Sequence, residues 1–272
     1  MANASLVMRT CRADGTLLKP DAPAMPLDAF WLGSAFCNGN GGGDRSPPST
    51  CRVARPAAGE VWATATRIGG GSGAAAAAAA LVWPLVFAQL AANFSLPLPD
   101  VFQHLRGVPS IHRDGNVAPD GWRPPARGWV LFRPGAPLSR QPPVVIAANA
   151  TLQLAAGSSY GEFTLAALAP IVAAVGGGPD WALLGAAEKF VPVSRQRIVD
   201  VAADASTLRV ELIGAAAEVV VLQVALIVSR ARSTHSARHH GGGRSAAVRE
   251  VVQQAVTLGG DGRGSATLDI SK

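Results

Sequence analysis

The sequence predicts an all-β fold: an antiparallel β-sandwich with long Gly-, Ala- and Pro-rich loop insertions and a C-terminal hairpin. Residues 143–228 contain a succession of short apolar runs rich in Val, Leu and Ile, separated by small or charged residues. Residues 60–68 (EVWATATRI) alternate between apolar and polar positions, which is the period of a strand with one buried face. Frequent turn-forming residues between these runs are typical of consecutive strands in a sandwich.

Individual strands can be placed along the chain. Asp14 and Gly15 stand between apolar runs and predict a tight hairpin turn. The segment from Val219 is almost continuously apolar, so it is expected to be a strand buried on both faces. A buried helix is the alternative there, but β-branched residues favour a strand. In all, the strands predicted between residues 60 and 228 cover residues 60–68, 83–90, 128–132, 144–148, 151–154, 163–172, 182–184, 190–193, 207–213 and 218–228.

The composition along the chain predicts three parts. Residues 1–228 are expected to form the sandwich, with low-complexity insertions near residues 38–58 and 69–80. Residues 229–244 are expected to be a basic, flexible loop. Residues 245–272 predict a closing hairpin or an accessory segment around a Gly-rich turn. A helix at the start of that last part is the alternative, since several valines share a helical face.

Charge and composition limit the partners. The chain has 49% hydrophobic and 15% charged residues, which is ample for a core. Its formal charge of +6 falls to +2 without residues 229–244, which hold four arginines and no acid. That basic patch contains no aromatic residue, so nucleic-acid binding is not expected and a solvated loop is favoured. His239 and His240 lie in the same loop without a third ligand at useful spacing, so no metal site is expected.

The cysteines and the apolar segments indicate where in the cell the chain is expected. Cys11, Cys37 and Cys51 form an odd, unpatterned set that favours a reducing compartment, cytoplasm or plastid. The first twenty residues contain charges and no sustained apolar core, so secretion is not expected. Residues 73–92 are uncharged and long enough to cross a membrane. However, much of this stretch is alanine and Pro84 interrupts it, so a core strand is favoured over a membrane span.

Recognisable catalytic motifs are missing from the sequence. It contains no GxSxG, P-loop, HExxH or helix-opening GxGxxG, so no catalytic residue, metal or cofactor is predicted. A carboxylate pair for glycoside hydrolysis cannot be recognised from spacing alone. If the chain were active, the candidates would be Asp114, Asp120, Asp180 and Glu188. Trp122, in a polar loop, is the best candidate for a substrate-binding, sugar-stacking side chain.

Several segments carry a resemblance to a known family. They are residues 6–31, with their Asp-Gly hairpin followed by a Pro-rich turn, EVWATATRI followed by LVWPLVFAQL, and SYGEFTLAALAPIV. In order and character they resemble the C-terminal part of the raffinose synthase and alkaline α-galactosidase (seed imbibition protein) family of plants and green algae. The chain departs from the family where WPLVF replaces a strand expected to contain asparagine and glycine, and where the alanine and glycine insertions occur.

The resemblance implies an activity that this chain is not expected to perform alone. Family members cleave or transfer α-galactosyl groups with two aspartates at the C-terminal ends of TIM-barrel strands. That barrel would lie N-terminal to this chain. Lys19-Pro20-Asp21 is the only K-x-D, and it follows a hairpin rather than a buried parallel strand, so the nucleophile role is not carried over.

The expected function is therefore that of a non-catalytic C-terminal β domain, or fragment, of an α-galactoside-processing enzyme. Its expected partners are α-galactosides and an N-terminal barrel domain. Whether the chain has activity of its own stays open. One alternative is a stand-alone carbohydrate-binding sandwich with exposed aromatic residues. Another is an interaction protein that binds an acidic partner through its basic loop.

Overall fold

The chain folds as antiparallel β-strands, which confirms the all-β prediction. The computed structural model describes residues 9–21, 59–69, 81–90, 93–99, 101, 125–136, 139–156, 163–174, 178–230 and 245–271. These residues form thirteen strands: β1 (Gly59–Ile68), β2 (Leu81–Leu90), β3 (Phe94–Pro97), β4 (Trp129–Phe132), β5 (Val144–Ile146), β6 (Thr151–Leu154), β7 (Thr164–Pro170), β8 (Asp180–Gly185), β9 (Ile198–Ala203), β10 (Thr207–Ile213), β11 (Val219–Arg230), β12 (Ser245–Thr257) and β13 (Arg263–Asp269).

The strands assemble into one large and three small sheets. The large sheet has five strands in the order β1-β2-β7-β4-β5. Two three-stranded sheets have the orders β12-β11-β8 and β13-β10-β9, and β3 pairs with β6. An isolated bridge between Val172 and Trp181 connects the end of β7 to β8. Consecutive strands therefore often belong to different sheets.

Both faces of the five-stranded sheet carry buried core residues. On one face, alternate residues such as Val61 and Val86 pack with Leu96 and Leu152 of the β3–β6 pair. On the other face, side chains such as Trp83 join the larger core that the two three-stranded sheets supply. The Trp83 Nε1–H donates a hydrogen bond of 2.8 Å to the Leu183 carbonyl on β8. This sheet is therefore the middle layer of the described fold.

Strand β11 has the burial that its sequence predicts. Residues Val224, Ala225, Leu226 and Ile227 are each at most 2% exposed, so both faces of the strand are covered. The helix considered for this segment does not form. The apolar stretch considered as a membrane span instead supplies β2, and among the described residues no helix is long and apolar enough to cross a membrane.

One strand prediction is wrong, and two observed strands were missed. Residues 190–193 were expected to form a strand, but they belong to an irregular loop in which the Ala186 N–H donates to the Pro192 carbonyl at 2.9 Å. Strands β3 and β9 were not predicted. The β9 sequence IVDVAA does not alternate between apolar and polar residues, and β3 is only four residues long and ends in a proline.

The C-terminal hairpin is also corrected. A tight turn does form, with the Gly262 N–H donating to the Gly259 carbonyl at 3.0 Å. The flanking strands nevertheless pair elsewhere, β12 with β11 and β13 with β10. The Gly214 N–H holds the turn through the Gly262 carbonyl at 2.8 Å. The turn thus carries the chain from one sheet into another. The helix considered at the start of this part is a strand.

Most residues of the predicted insertions lie outside the described part of the chain. The insertion near residues 38–58 lies outside the described residues, as does all but the first residue of the insertion near 69–80. Strand β11 extends to Arg230 and β12 begins at Ser245, so the rest of the predicted basic loop, including His239 and His240, also lies outside them.

Two glycines provide a matched test of packing at the end of β8. Gly185 has φ +76°, and a Cβ there would lie 2.3 Å from the Pro192 carbonyl oxygen. Gly15 has φ +82°, and nothing lies within 4 Å of its ideal Cβ. Gly15→Ala should lower the free energy of unfolding by about 1 kcal/mol through backbone strain alone. Gly185→Ala should cost a further ~1–3 kcal/mol because the loop must move.

Urea denaturation of both variants and the parent chain measures the difference. If Gly15→Ala and Gly185→Ala lower the free energy of unfolding equally, the loop moves away from β8 without cost, which contradicts the prediction.

Candidate functional site: an aromatic ledge

A row of large side chains crosses one face of the five-stranded sheet. Trp62 on β1 lies directly opposite Phe87 on β2, and Phe87 lies opposite Leu165 on β7. Directly opposed residues of antiparallel strands point to the same face with Cβ atoms about 5 Å apart. All three side chains are only partly buried.

Two further phenylalanines extend this row. The Phe163 ring stacks on Phe87 with centroids 5.0 Å apart and an angle of 30° between the ring planes. Phe190 meets Phe163 edge to face at 5.9 Å and 74°. Both separations lie in the favourable range for aromatic pairs. Phe163 is 42% exposed. We call Trp62, Phe87, Phe163, Leu165 and Phe190 the aromatic ledge.

A cation borders the ledge. The Arg9 guanidinium lies 5.8 Å from the centroid of the Phe190 ring, a distance suited to a cation–π contact. The Phe190 N–H also donates to the Arg9 carbonyl at 3.0 Å. Gly135 lies close by, since a Cβ there would be 2.9 Å from Arg9 Nη1. The ledge therefore combines apolar ring surface with a hydrogen-bond donor at its rim.

The loop that carries Phe190 is fixed by the N-terminal hairpin (residues 9–21). This loop, residues 186–197, connects β8 to β9. Lys189 Nζ donates to the Cys11 carbonyl at 3.1 Å, and Ser194 Oγ donates to the Lys19 carbonyl at 2.8 Å. These contacts reach from both arms of the hairpin to the loop, so Phe190 is held by structure distant in sequence.

The same loop ends at a buried ion pair. Arg197 Nη2 lies 2.6 Å from Glu218 Oε1, and the two side chains are 1% and 8% exposed. Glu218 also accepts hydrogen bonds from the backbone N–H groups of Ala215 at 2.9 Å and Ala13 at 3.1 Å. Burial alone would raise the pKa of Glu218, but the hydrogen bonds from Arg197, Ala215 and Ala13 together lower it. The carboxylate is therefore charged at neutral pH.

The carboxylates considered from the sequence do not form a described pair. Asp180 begins β8 and Glu188 lies beyond the other end of this strand, whose five steps of ~3.3 Å span about 17 Å. Catalytic carboxylates of glycosidases lie only about 5–9.5 Å apart. Asp180 is instead paired with Arg127 Nη1 at 2.5 Å. Asp114, Asp120 and Trp122 lie outside the described residues.

The ledge was not recognised in the sequence because its side chains come from several separate segments. The one local signal was Trp62, an aromatic residue at a polar position of the alternating strand β1. No group of three His, Cys, Asp or Glu side chains in the described part of the chain is placed to hold a metal ion.

Comparison with known proteins gives no assignment. No family model matches this chain, and the search of curated proteins finds no significant match. The family resemblance described above therefore depends on its short sequence segments alone.

The buried ion pair makes a prediction about stability. Glu218→Gln keeps the side-chain shape but removes the charge that Arg197 faces. We expect the free energy of unfolding at pH 7 to fall by about 3 kcal/mol, since breaking a buried pair leaves an uncompensated charge. Glu211→Gln is the control, because it removes an exposed ion pair. The side chains of Glu211 and Arg209 are 44% and 62% exposed, so this substitution should lower the free energy of unfolding by less than about 0.5 kcal/mol.

The pH dependence of the same variant gives a second measurement. The pKa of Glu218 is lower in the folded than in the unfolded chain. Its contribution to stability is therefore complete above the unfolded pKa of about 4.3 and is lost as the pH falls through the folded value. Urea denaturation from pH 7 to pH 3 should show a smaller loss of stability for Glu218→Gln than for the parent chain. Parallel curves would contradict the role given to this carboxylate.

Proposed function

We propose that this chain is a non-catalytic β domain of an α-galactoside-processing enzyme of the raffinose synthase type, and that the aromatic ledge is its contact with carbohydrate. The observation that carries the proposal is the packed, partly exposed set of rings around Phe163. A pyranose ring presents a face of C–H groups, and covering that face with an aromatic ring removes apolar surface of both partners from water.

The chemistry of galactose suits this surface. Its axial hydroxyl at C4 leaves the opposite face of the ring with an unbroken patch of C–H groups. Phe163, with 42% of its surface exposed, offers a flat ring for that patch. The guanidinium of Arg9 lies beside Phe190 at the rim and has donors for the hydroxyls at the edge of the sugar.

Two described acidic groups, Asp180 and Asp21, have contacts that fit structural roles. Asp180 accepts from the Ala174 N–H at 3.2 Å as well as from Arg127. Asp21, the acid of the only K-x-D, accepts from the Arg67 N–H at 2.8 Å and pairs with Arg195 at 3.0 Å. Burial raises the pKa of Asp21. These contacts tie the N-terminal hairpin to β1, which supports a bracing domain over a catalytic one.

A stand-alone carbohydrate-binding sandwich is the second candidate, and the same ledge favours it. The two candidates differ in whether a catalytic barrel acts beside the domain. The proposal of an interaction protein rests on the basic loop, most of which lies outside the described residues.

Binding of sugar to the ledge is tested with Phe163→Ala. We expect it to weaken the binding of raffinose about fivefold or more, because a stacked aromatic contact contributes about 1 kcal/mol. Calorimetric titration of the purified chain gives the dissociation constants. As a control, Val219→Ala removes another exposed apolar side chain, 60% exposed, from a different sheet and should leave the affinity unchanged. Equal affinity of the parent and Phe163→Ala for raffinose would remove the ledge from the proposal.

The absence of catalysis is a separate prediction. The purified chain of 272 residues should not hydrolyse a chromogenic α-galactoside, whereas the chain joined to an N-terminal barrel of this family should do so. The rate of release of the chromophore is measured for both under the same conditions. Turnover by the 272-residue chain alone, retained after Asp180→Asn, would show that it holds a catalytic pair elsewhere.

A further inference from the structure

A groove separates two edge strands on another part of the surface. It has a volume of about 280 Å³ and lies where β12, at the edge of one three-stranded sheet, passes β13, at the edge of the other. Pockets that bind small ligands begin at about 300 Å³. The groove is therefore close to the lower size limit of such pockets. None of the residues of the aromatic ledge lines it.

The floor of the groove is apolar. Leu226 and Leu268 line it but are only 1% and 3% exposed, so among its apolar side chains the half-buried Val252 is the accessible one. Leu226 lies directly opposite Glu250 in the β11–β12 register, so the acid and the floor share one face of the sheet. A ligand here would contact apolar side chains below it and the Glu250 carboxylate at its side.

The rim is polar and carries no Lys or Arg. Its side chains are Glu250, Gln253, Gln254, Thr267 and Asp269. The Asp269 carboxylate is oriented by hydrogen bonds from the Ser271 N–H at 2.9 Å and hydroxyl at 2.6 Å. Carboxylates accept hydrogen bonds, and amides both accept and donate them, as recognition of neighbouring hydroxyls requires.

We infer that this groove is a second carbohydrate-binding site, which takes a neutral polyhydroxylated ring with its C–H face on the apolar floor at Val252 and its hydroxyls on the rim. The inference depends on the proposed function for its class of ligand. A calcium site would need six to eight converging oxygens, to which an apolar floor contributes nothing. The mixture of amides, a hydroxyl and an apolar floor therefore favours a sugar over a cation.

The test uses the full chain labelled with ¹⁵N and titrated with raffinose, followed by amide chemical shifts. We expect raffinose to shift amides of residues 250–254 and 267–269. In Glu250→Ala/Gln253→Ala, which changes two exposed residues, the dissociation constant from these groove shifts should rise at least tenfold. Gln153→Ala removes an exposed amide from β6 and serves as the control.

The outcomes separate this inference from the proposed function. Groove shifts that persist in Phe163→Ala and weaken in the double variant support the groove. If raffinose shifts only amides of residues around Phe163, the inference about the groove is wrong, while sugar binding by the domain is supported. If raffinose shifts neither set of amides, both fail. Saturable shifts of the groove amides with calcium chloride and none with raffinose would also overturn the inference.

Discussion

The ion pair between Arg197 and Glu218 is the contact on which several separate segments depend. Arg197 ends the β8–β9 loop, and its carbonyl accepts from the Ile213 N–H at 2.9 Å. Glu218 precedes β11, binds the N-terminal hairpin through Ala13, and accepts at its own carbonyl from the Leu258 N–H at 2.9 Å. Burying two opposite charges has a large desolvation cost, which is repaid only when the two groups meet in good geometry. The pair therefore fixes where these segments lie more precisely than apolar contacts do.

That junction bears on the candidate site through the loop. The β8–β9 loop contains no strand, so no sheet hydrogen bonds hold it in place. Its residue Phe190 lies between the hairpin and the five-stranded sheet. Contacts from Lys189 to Cys11 and from Arg12 Nη1 to the Gln196 carbonyl at 2.9 Å fix the loop from outside. A change at the buried pair should therefore alter ring packing at the ledge as well as overall stability.

The sequence predicted local features better than distant ones. Strands β6 and β10 were placed at their observed bounds because alternation is a property of adjacent residues. The pairing of β12 with β11 was missed, because a turn with hairpin chemistry at Gly259 says nothing about which sheet receives each strand. The ledge was missed for the same reason. Trp62 and Phe163 become neighbours of one surface only after β1, β2 and β7 pair.

The ledge is a continuation of the core. Trp83 and Phe87 are four residues apart on one strand and so share a face of the sheet. Trp83 is 5% exposed because β8 covers it, whereas Phe87 is only half-buried. The apolar face thus extends beyond the sheet that packs on it. Leaving such rings in water forgoes stabilisation of roughly 25 cal/mol for each Å² left uncovered, and a bound sugar or a neighbouring domain would recover part of it. The same excess of apolar surface that lowers the stability of the isolated chain supplies the driving force for binding.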